Sequence, residues 1–184
     1  MYYKKILAAA LTVSCIGGIV PANSVQAASL KIRYSGKTRY YKGKQLHVSY
    51  ANKNLSSKYV GIQINKVNMI PYYDYLVKQG PKVKRTYSKS SGKLILKNGD
   101  DTLTAYVGKR TYYLNGVKKT FSVAPTKVKY YKTKKTIILI PANAIVKGLG
   151  LNYKYSSSSK RIYITQPVIP SDSTTQVQTQ PSGS

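Results

Sequence analysis

Two stretches of the chain share one pattern of apolar and polar positions. Each begins with two apolar residues and a proline, at 69–71 and 139–141, and each ends at a glycine nine residues beyond that proline. Apolar residues in between recur at helical spacing, and proline is tolerated in the first turn of a helix. The sequence therefore predicts one short helix from Pro71 to Gly80 and another from Pro141 to Gly150, each ended by its glycine.

Alternating segments follow both predicted helices and fill most of the remaining chain. Residues 82–96 and 151–164 each have the pattern of a β-hairpin with a serine-rich turn. Asn115-Gly116 lies between two more alternating segments, which is a strong hairpin signal, and residues 39–48 predict a further hairpin. We therefore expect an α+β fold of small antiparallel β-sheets and hairpins with two short helices, in two related strand–helix–hairpin repeats around a central hairpin.

Both ends of the chain differ in composition from its middle. Two lysines precede a short apolar run, and small residues follow it, so residues 1–27 are interpreted as a signal peptide cleaved between Ala27 and Ala28. A retained anchor is the alternative, although a membrane span needs roughly 20 apolar residues. Residues 167–184 are rich in Pro, Ser, Thr and Gln and predict a disordered tail. The folded domain is expected at residues 30–166, without a membrane span in the mature form.

Positive charge is the most unusual feature of the composition. The chain has 31 lysine and arginine residues, four acidic residues and a formal net charge of +27. Charge of this size opposes compaction and attracts anionic partners. The single cysteine, Cys15, lies in the predicted signal peptide, where lipidation is a minor alternative, so the mature domain is expected to lack disulfides. These features favour a secreted protein associated with a Gram-positive cell wall.

The order of these motifs resembles the copper amine oxidase N-terminal domain-like family, the stalk domain of many exported Firmicute proteins. The resemblance rests on the two strand–proline–glycine–hairpin stretches and on the segment from Gly108-Lys109 to Asn115-Gly116 between them. Tyr87 and Tyr155 stand where the family often has Trp. The resemblance covers roughly residues 37–165. It implies an α+β surface domain that often accompanies other modules, and it implies no catalytic or copper-binding residues.

The residues themselves give little support to catalysis. Copper oxidase sites use several histidines, and this chain has only His47. The Tyr-Tyr-Asp-Tyr run at 72–75 superficially resembles the context of a self-derived quinone cofactor, but Tyr72 stands where that context needs Asn. A helix start with Asp74 in its first turn explains the run fully. Asp100-Asp101 is adjacent to a predicted turn and reads as surface sequence. Glycan hydrolases use a carboxylate pair or a metal centre, and a chain with four aspartates, no glutamate and one histidine favours neither. We therefore expect no enzyme activity, no cofactor and no metal.

Binding through basic and aromatic side chains is the remaining hypothesis. Tyrosine offers a flat face and a hydroxyl, and lysine offers a mobile positive charge, a combination that suits sugars and phosphates. For any single tyrosine, a place in a strand or core is the simpler interpretation. The segment 127–135 has the densest lysines and is expected to be a basic loop. The predicted contacts with an anionic polymer are Lys84, Arg85, Lys127, Lys129, Tyr130, Tyr131, Lys132, Lys134 and Lys135.

Three functions remain open at this stage. The first is a non-catalytic cell-wall module that contacts an anionic wall polymer or acidic glycan through its Lys/Tyr-rich surface. The second is a structural spacer or protein-interaction module on the cell surface, whose charge serves only solubility. The third is binding of extracellular nucleic acid, which shares the basic and aromatic composition but lacks a recognisable nucleic-acid motif and ranks last.

Overall fold

A computed structural model describes residues 29–168. The predicted signal peptide, its cleavage site between Ala27 and Ala28, and the predicted tail from residue 169 onward lie outside the described residues. The strands are β1 Leu30–Tyr34, β2 Lys37–Tyr41, β3 His47–Tyr50, β4 Lys53–Leu55, β5 Ile62–Ile64, β6 Val67–Pro71, β7 Lys84–Tyr87, β8 Lys93–Asn98, β9 Asp101–Tyr106, β10 Thr111–Leu114, β11 Val117–Thr120, β12 Thr126–Tyr130, β13 Lys135–Pro141, β14 Asn152–Ser156 and β15 Arg161–Thr165. The α-helix α1 spans Ala142–Gly148, and a π-helical turn spans Tyr73–Lys78.

The central sheet has six strands in the order β2-β1-β12-β13-β6-β5, all paired antiparallel. The pairing of β13 with β6 brings together the two apolar pairs that precede proline, with Ile70 opposite Ile140. Successive strand residues point to opposite faces, and Ile70 and Ile140 belong to a larger core while Met69 and Leu139 belong to a smaller one. This part of the sheet is therefore covered on both faces.

Two further sheets build the larger core. The strands β11-β10-β9-β8-β7 form a five-stranded antiparallel meander that buries Leu94, Leu96 and Leu103. The strands β14-β15-β3-β4 form a four-stranded sheet that buries Val48 and Ile162. In that sheet β15 runs parallel to β3. The other strand pairings among the described residues are antiparallel.

The expected α+β fold is wrong, because the domain is mostly β. Strands take 52% of the described residues and helical segments 10%, with three sheets and one helix of seven residues. Pro71 and Pro141, expected to begin helices, are the last residues of β6 and β13. The first predicted helix is a single π-helical turn. The helical spacing of a few apolar side chains correctly indicated which side of each segment is buried, but the predicted helices were longer than the observed ones.

The two glycines expected to end helices play different parts. Gly150 has a φ of +69°, the left-handed conformation that was predicted for a residue following a helix. Gly80 lacks a positive φ; a Cβ atom there would lie 2.1 Å from the carbonyl oxygen of Tyr75. Gly80 is therefore required by close approach of the backbone rather than by a left-handed turn.

The hairpin expected at residues 39–48 is also wrong. The strand β2 turns back onto β1 through Ser35-Gly36, with Leu30 opposite Tyr41, and β3 belongs to another sheet. The hairpin predicted at Asn115-Gly116 is confirmed, with both residues at positive φ between β10 and β11. Among residues 29–168, no helix is long and apolar enough to cross a membrane.

Candidate basic surface

The segment expected to be a basic loop is a β-hairpin. Lys127 and Lys129 lie on β12, Lys135 begins β13, and a tight turn at residues 131–134 joins the two strands. Lys127 and Lys129 are exposed, whereas Val128 between them is buried. The strand therefore presents its lysines on one face in the period of two that a half-buried strand requires.

Tyr130 does not lie on that surface. Its side chain is 2% exposed, and its hydroxyl donates a hydrogen bond of 2.6 Å to the carbonyl oxygen of Val60. Its ring packs edge-on against Tyr59 with centroids 5.5 Å apart. Burial raises the pKa of the Tyr130 hydroxyl well above its ordinary value. This predicted contact is thus part of the smaller core.

Sheet pairing adds residues from β1 and β2 to the lysines of β12. Arg33 lies directly opposite Lys129 on one side and opposite Thr38 on the other. Lys31, two residues before Arg33, lies opposite Tyr40, which is 60% exposed. We call this surface the basic face, and its members are Lys31, Arg33, Thr38, Tyr40, Lys129 and Tyr131.

Tyr131 stands at the centre of the basic face. The Nζ atoms of Lys31 and Lys129 lie 5.1 Å and 5.4 Å from the centroid of its ring, within cation–π distance. Its hydroxyl is 2.9 Å from Oγ1 of Thr38. The Thr38 hydrogen bond, together with the positive charges of Lys129, Arg33 and Lys31, lowers the pKa of Tyr131. The basic face thus favours negative charge at the hydroxyl of the partly exposed Tyr131.

A groove of about 640 Å³ runs beside the basic face. Arg33, Lys127 and Lys129 line one side of it, and Lys89 to Gly92, from the turn between β7 and β8, line the other. The lining also includes five residues with aliphatic hydroxyl groups: Ser35, Ser90, Ser91, Thr126 and Thr136. The groove therefore offers four cationic side chains and several hydrogen-bonding hydroxyls along one path.

The predicted contacts Lys84 and Arg85 lie on β7, in the five-stranded sheet. The guanidinium carbon of Arg85 lies 4.8 Å from the centroid of the Tyr73 ring. Burial raises the pKa of the neighbouring Tyr72 hydroxyl, while the charge of Arg85 acts in the opposite direction. These two residues are not members of the basic face, although the hairpin that carries them reaches the groove through Lys89.

Sequence reasoning missed the contribution of β1 and β2. Lys31 and Arg33 alternate with buried Ile32, so the local pattern already showed two cations on one exposed side. The missing information was the partner strand, because β1 pairs with β12 nearly a hundred residues away. Lys132 and Lys134 lie in the turn at the end of β12.

The tyrosine run at 72–75 has structural partners. Tyr75 is 1% exposed and its hydroxyl donates to the carbonyl oxygen of Tyr59 at 3.3 Å. Burial raises the pKa of the Tyr75 hydroxyl to about 12. The carboxylate of Asp74 accepts a hydrogen bond from Ser57. Within residues 29–168, no group of three or more His, Cys, Asp and Glu side chains could hold a metal ion.

The fold and surface define a β-rich domain with an exposed cationic and aromatic face. The chain belongs to the copper amine oxidase N-terminal domain family, whose sequence model matches residues 50–164. This match concerns an N-terminal domain and not a catalytic one. It begins at the last residue of β3, so β1 and β2, with Lys31 and Arg33, precede the matched region. Searches of curated proteins and of solved structures found no match.

Proposed function

We propose that this protein is a non-catalytic, exported cell-surface module that contacts an anionic cell-wall polymer or acidic glycan through the basic face and its groove. The observation that carries the proposal is the direct opposition of Arg33 and Lys129 on neighbouring strands. Like charges placed opposite each other in a sheet destabilise it. An anionic ligand lying across the pair would relieve that repulsion.

The scarcity of acidic residues supports the same proposal. Residues 29–168 contain 29 lysine and arginine residues but only three aspartates. Asp74 accepts a hydrogen bond from Ser57, and Asp101 accepts one from Asn115. A surface built only for solubility mixes both signs of charge. Within residues 29–168 most cations therefore have no acidic side chain with which to pair, and an external anion would supply the counter-charge.

A repeating polymer suits the arrangement better than a single small anion. Lys127, Lys129 and Tyr131 alternate along one side of the chain, which spaces them about 7 Å apart where the strand is extended. Each basic residue near an anionic surface contributes at most about 1 kcal/mol. Useful affinity therefore requires several contacts at once, and it should fall as salt rises.

The experiment is a retention assay on purified bacterial walls, with and without extraction of their anionic polymer. The test variant combines Arg33→Gln, Lys127→Gln and Lys129→Gln. The matched control combines Lys97→Gln, Lys118→Gln and Lys119→Gln, which removes the same charge from exposed positions of the five-stranded sheet. The test variant should bind up to about 100-fold more weakly at low salt, from about 3 kcal/mol of lost contacts, and the control should change much less.

Equal retention of the two variants, or retention that does not respond to salt or to extraction, would reject polymer binding by this face. The second function, a spacer or protein-interaction module, would then be favoured, because it requires no polymer contact. Competition between soluble wall polymer and single-stranded DNA separates the third function, since a nucleic-acid-binding protein should prefer the DNA.

A further inference from the structure

A hollow of about 720 Å³ lies at the ends of β1 and β12, next to the basic face. Four lysines and one histidine from five different segments of the chain line it: Lys31, His47, Lys58, Lys132 and Lys160. None of the described residues that line it is acidic. A cleft lined by charges of one sign raises the local concentration of ions of the opposite sign, so this hollow attracts anions.

Backbone hydrogen bonds fix the segments that form this hollow. The N–H of His47 donates to the carbonyl oxygen of Lys160 at 3.1 Å, and the N–H of Tyr131 donates to the carbonyl oxygen of Lys31 at 3.1 Å. The Tyr130 hydroxyl bonds to the carbonyl oxygen of Val60 at 2.6 Å, which holds the segment after Lys58 against β12. The walls are therefore preorganised, and binding would order only the lysine side chains.

The hollow differs from the groove in its donors. It contains lysines and an imidazole but no arginine among its described lining, whereas Arg33 lies in the groove. Arginine suits planar, two-point contacts, and lysine acts as a compact point charge that can approach from any direction. Convergent lysines match a small group with concentrated charge, and a phosphomonoester carries about −1.5 to −2 at pH 7.

We propose that this hollow binds a phosphomonoester group, with Lys132 and Lys160 as its principal cationic contacts and His47 as a hydrogen-bonding contact. Lys58 also borders the small cleft that contains Asp74, so an acidic residue lies near this lysine. Lys31 and Tyr131 belong to both the basic face and the hollow. The proposal does not require that the groove bind a polymer.

The test uses titration calorimetry of the full chain with sn-glycerol 3-phosphate at low salt. Lys132→Gln combined with Lys160→Gln should weaken binding at least tenfold. The matched control, Lys118→Gln with Lys119→Gln, should weaken it less than threefold. Absence of binding, or a hollow variant that binds within twofold of the control, would overturn the proposal.

A phosphomonoester can belong to a small molecule or to the end of a polymer, and a second comparison distinguishes these sources. The probe is a short glycerol phosphate oligomer that ends in a phosphomonoester, compared with the same oligomer after phosphatase treatment. Tighter binding of the untreated oligomer than of sn-glycerol 3-phosphate assigns the site to polymer ends, and the reverse assigns it to small molecules. Equal binding of treated and untreated oligomer would refute phosphomonoester recognition.

The two proposals fail separately. Replacement of Arg33, Lys127 and Lys129 should reduce wall retention but leave binding of sn-glycerol 3-phosphate within threefold. Replacement of Lys132 and Lys160 should have the opposite effect. A wall-binding defect that is equal in both variants would contradict the assignment of separate ligands to the hollow and the groove.

Discussion

The opposition of Arg33 and Lys129 predicts that removing one charge stabilises the fold. Directly opposite residues of an antiparallel pair have Cβ atoms about 5 Å apart, and two long side chains can splay their charges to about 7 Å. At that distance the repulsion in water is about 0.6 kcal/mol. Screening reduces it to about 0.5 kcal/mol at 0.01 M salt and about 0.2 kcal/mol at 0.15 M. Arg33→Gln should therefore raise the stability of the domain, and more so at low salt.

Thermal unfolding followed by circular dichroism measures this effect. For a domain of this size the gain corresponds to about 1–2 °C at 0.01 M salt and less than 1 °C at 0.15 M. Lys119→Gln is the control, because Lys119 lies opposite Tyr112 and not opposite a cation. A lower melting temperature for Arg33→Gln, or an increase in melting temperature that is the same at both salt concentrations, would refute the reasoning. The same substitution should weaken wall retention, so stability and binding should change in opposite directions.

Three other predictions concern tyrosines and a glycine. Tyr131 should titrate below the ordinary tyrosine pKa in carbon-13 NMR spectra of labelled tyrosine. Thr38→Val should raise the pKa of Tyr131, because the Thr38 hydrogen bond is the main cause of the shift. Since the pKa of Tyr131 is depressed in the folded state, the stability of the domain should increase as the pH rises from that pKa toward 10. The pKa of Tyr75 is raised to about 12, so the domain should lose stability from about pH 10 through about pH 12. In urea unfolding, the free energy of unfolding of Tyr75→Phe should fall by roughly 2 kcal/mol less than that of the parent between pH 9 and pH 12. Gly80→Ala should cost about 2 kcal/mol or more in urea unfolding, because its Cβ would meet a backbone carbonyl oxygen; Gly99→Ala, at a φ of +56° with nothing within 4 Å, should cost about 1 kcal/mol.

Local patterns predicted strands better than they predicted sheets. Alternation identified the hairpins at β7–β8, β10–β11 and β14–β15, whose partners are adjacent in sequence. It could not show that Ile70 pairs with Ile140, because nothing in a strand's own sequence specifies a distant partner. For the same reason, the sequence pattern wrongly predicted that β2 forms a hairpin with β3. The fold class was wrong for another reason, because the two predicted helices are only a π-helical turn and a helix of seven residues.

The candidate site was predicted in part for the same reason. The lysine density of the 127–135 segment indicated a binding surface, but the opposing charges come from β1. The prediction that Tyr130 is a polymer contact failed for a different reason. Lys127 and Lys129 are the exposed positions of an alternating strand, so Tyr130 falls on the buried side of that strand. A stricter application of the period of two would have excluded it. Composition alone could not separate a tyrosine of the core, such as Tyr130, from a partly exposed one such as Tyr131.

The parallel pairing of β15 with β3 has a consequence for the order of folding. It joins residues 47–50 to residues 161–164, so the four-stranded sheet cannot close until almost the whole domain is available. Contacts of such long sequence separation slow folding toward the millisecond-to-second range. The same pairing brings His47 beside Lys160, and the hollow therefore forms only when the last strand docks. A chain that lacks β15 would keep most of its basic residues and lose the place where they converge.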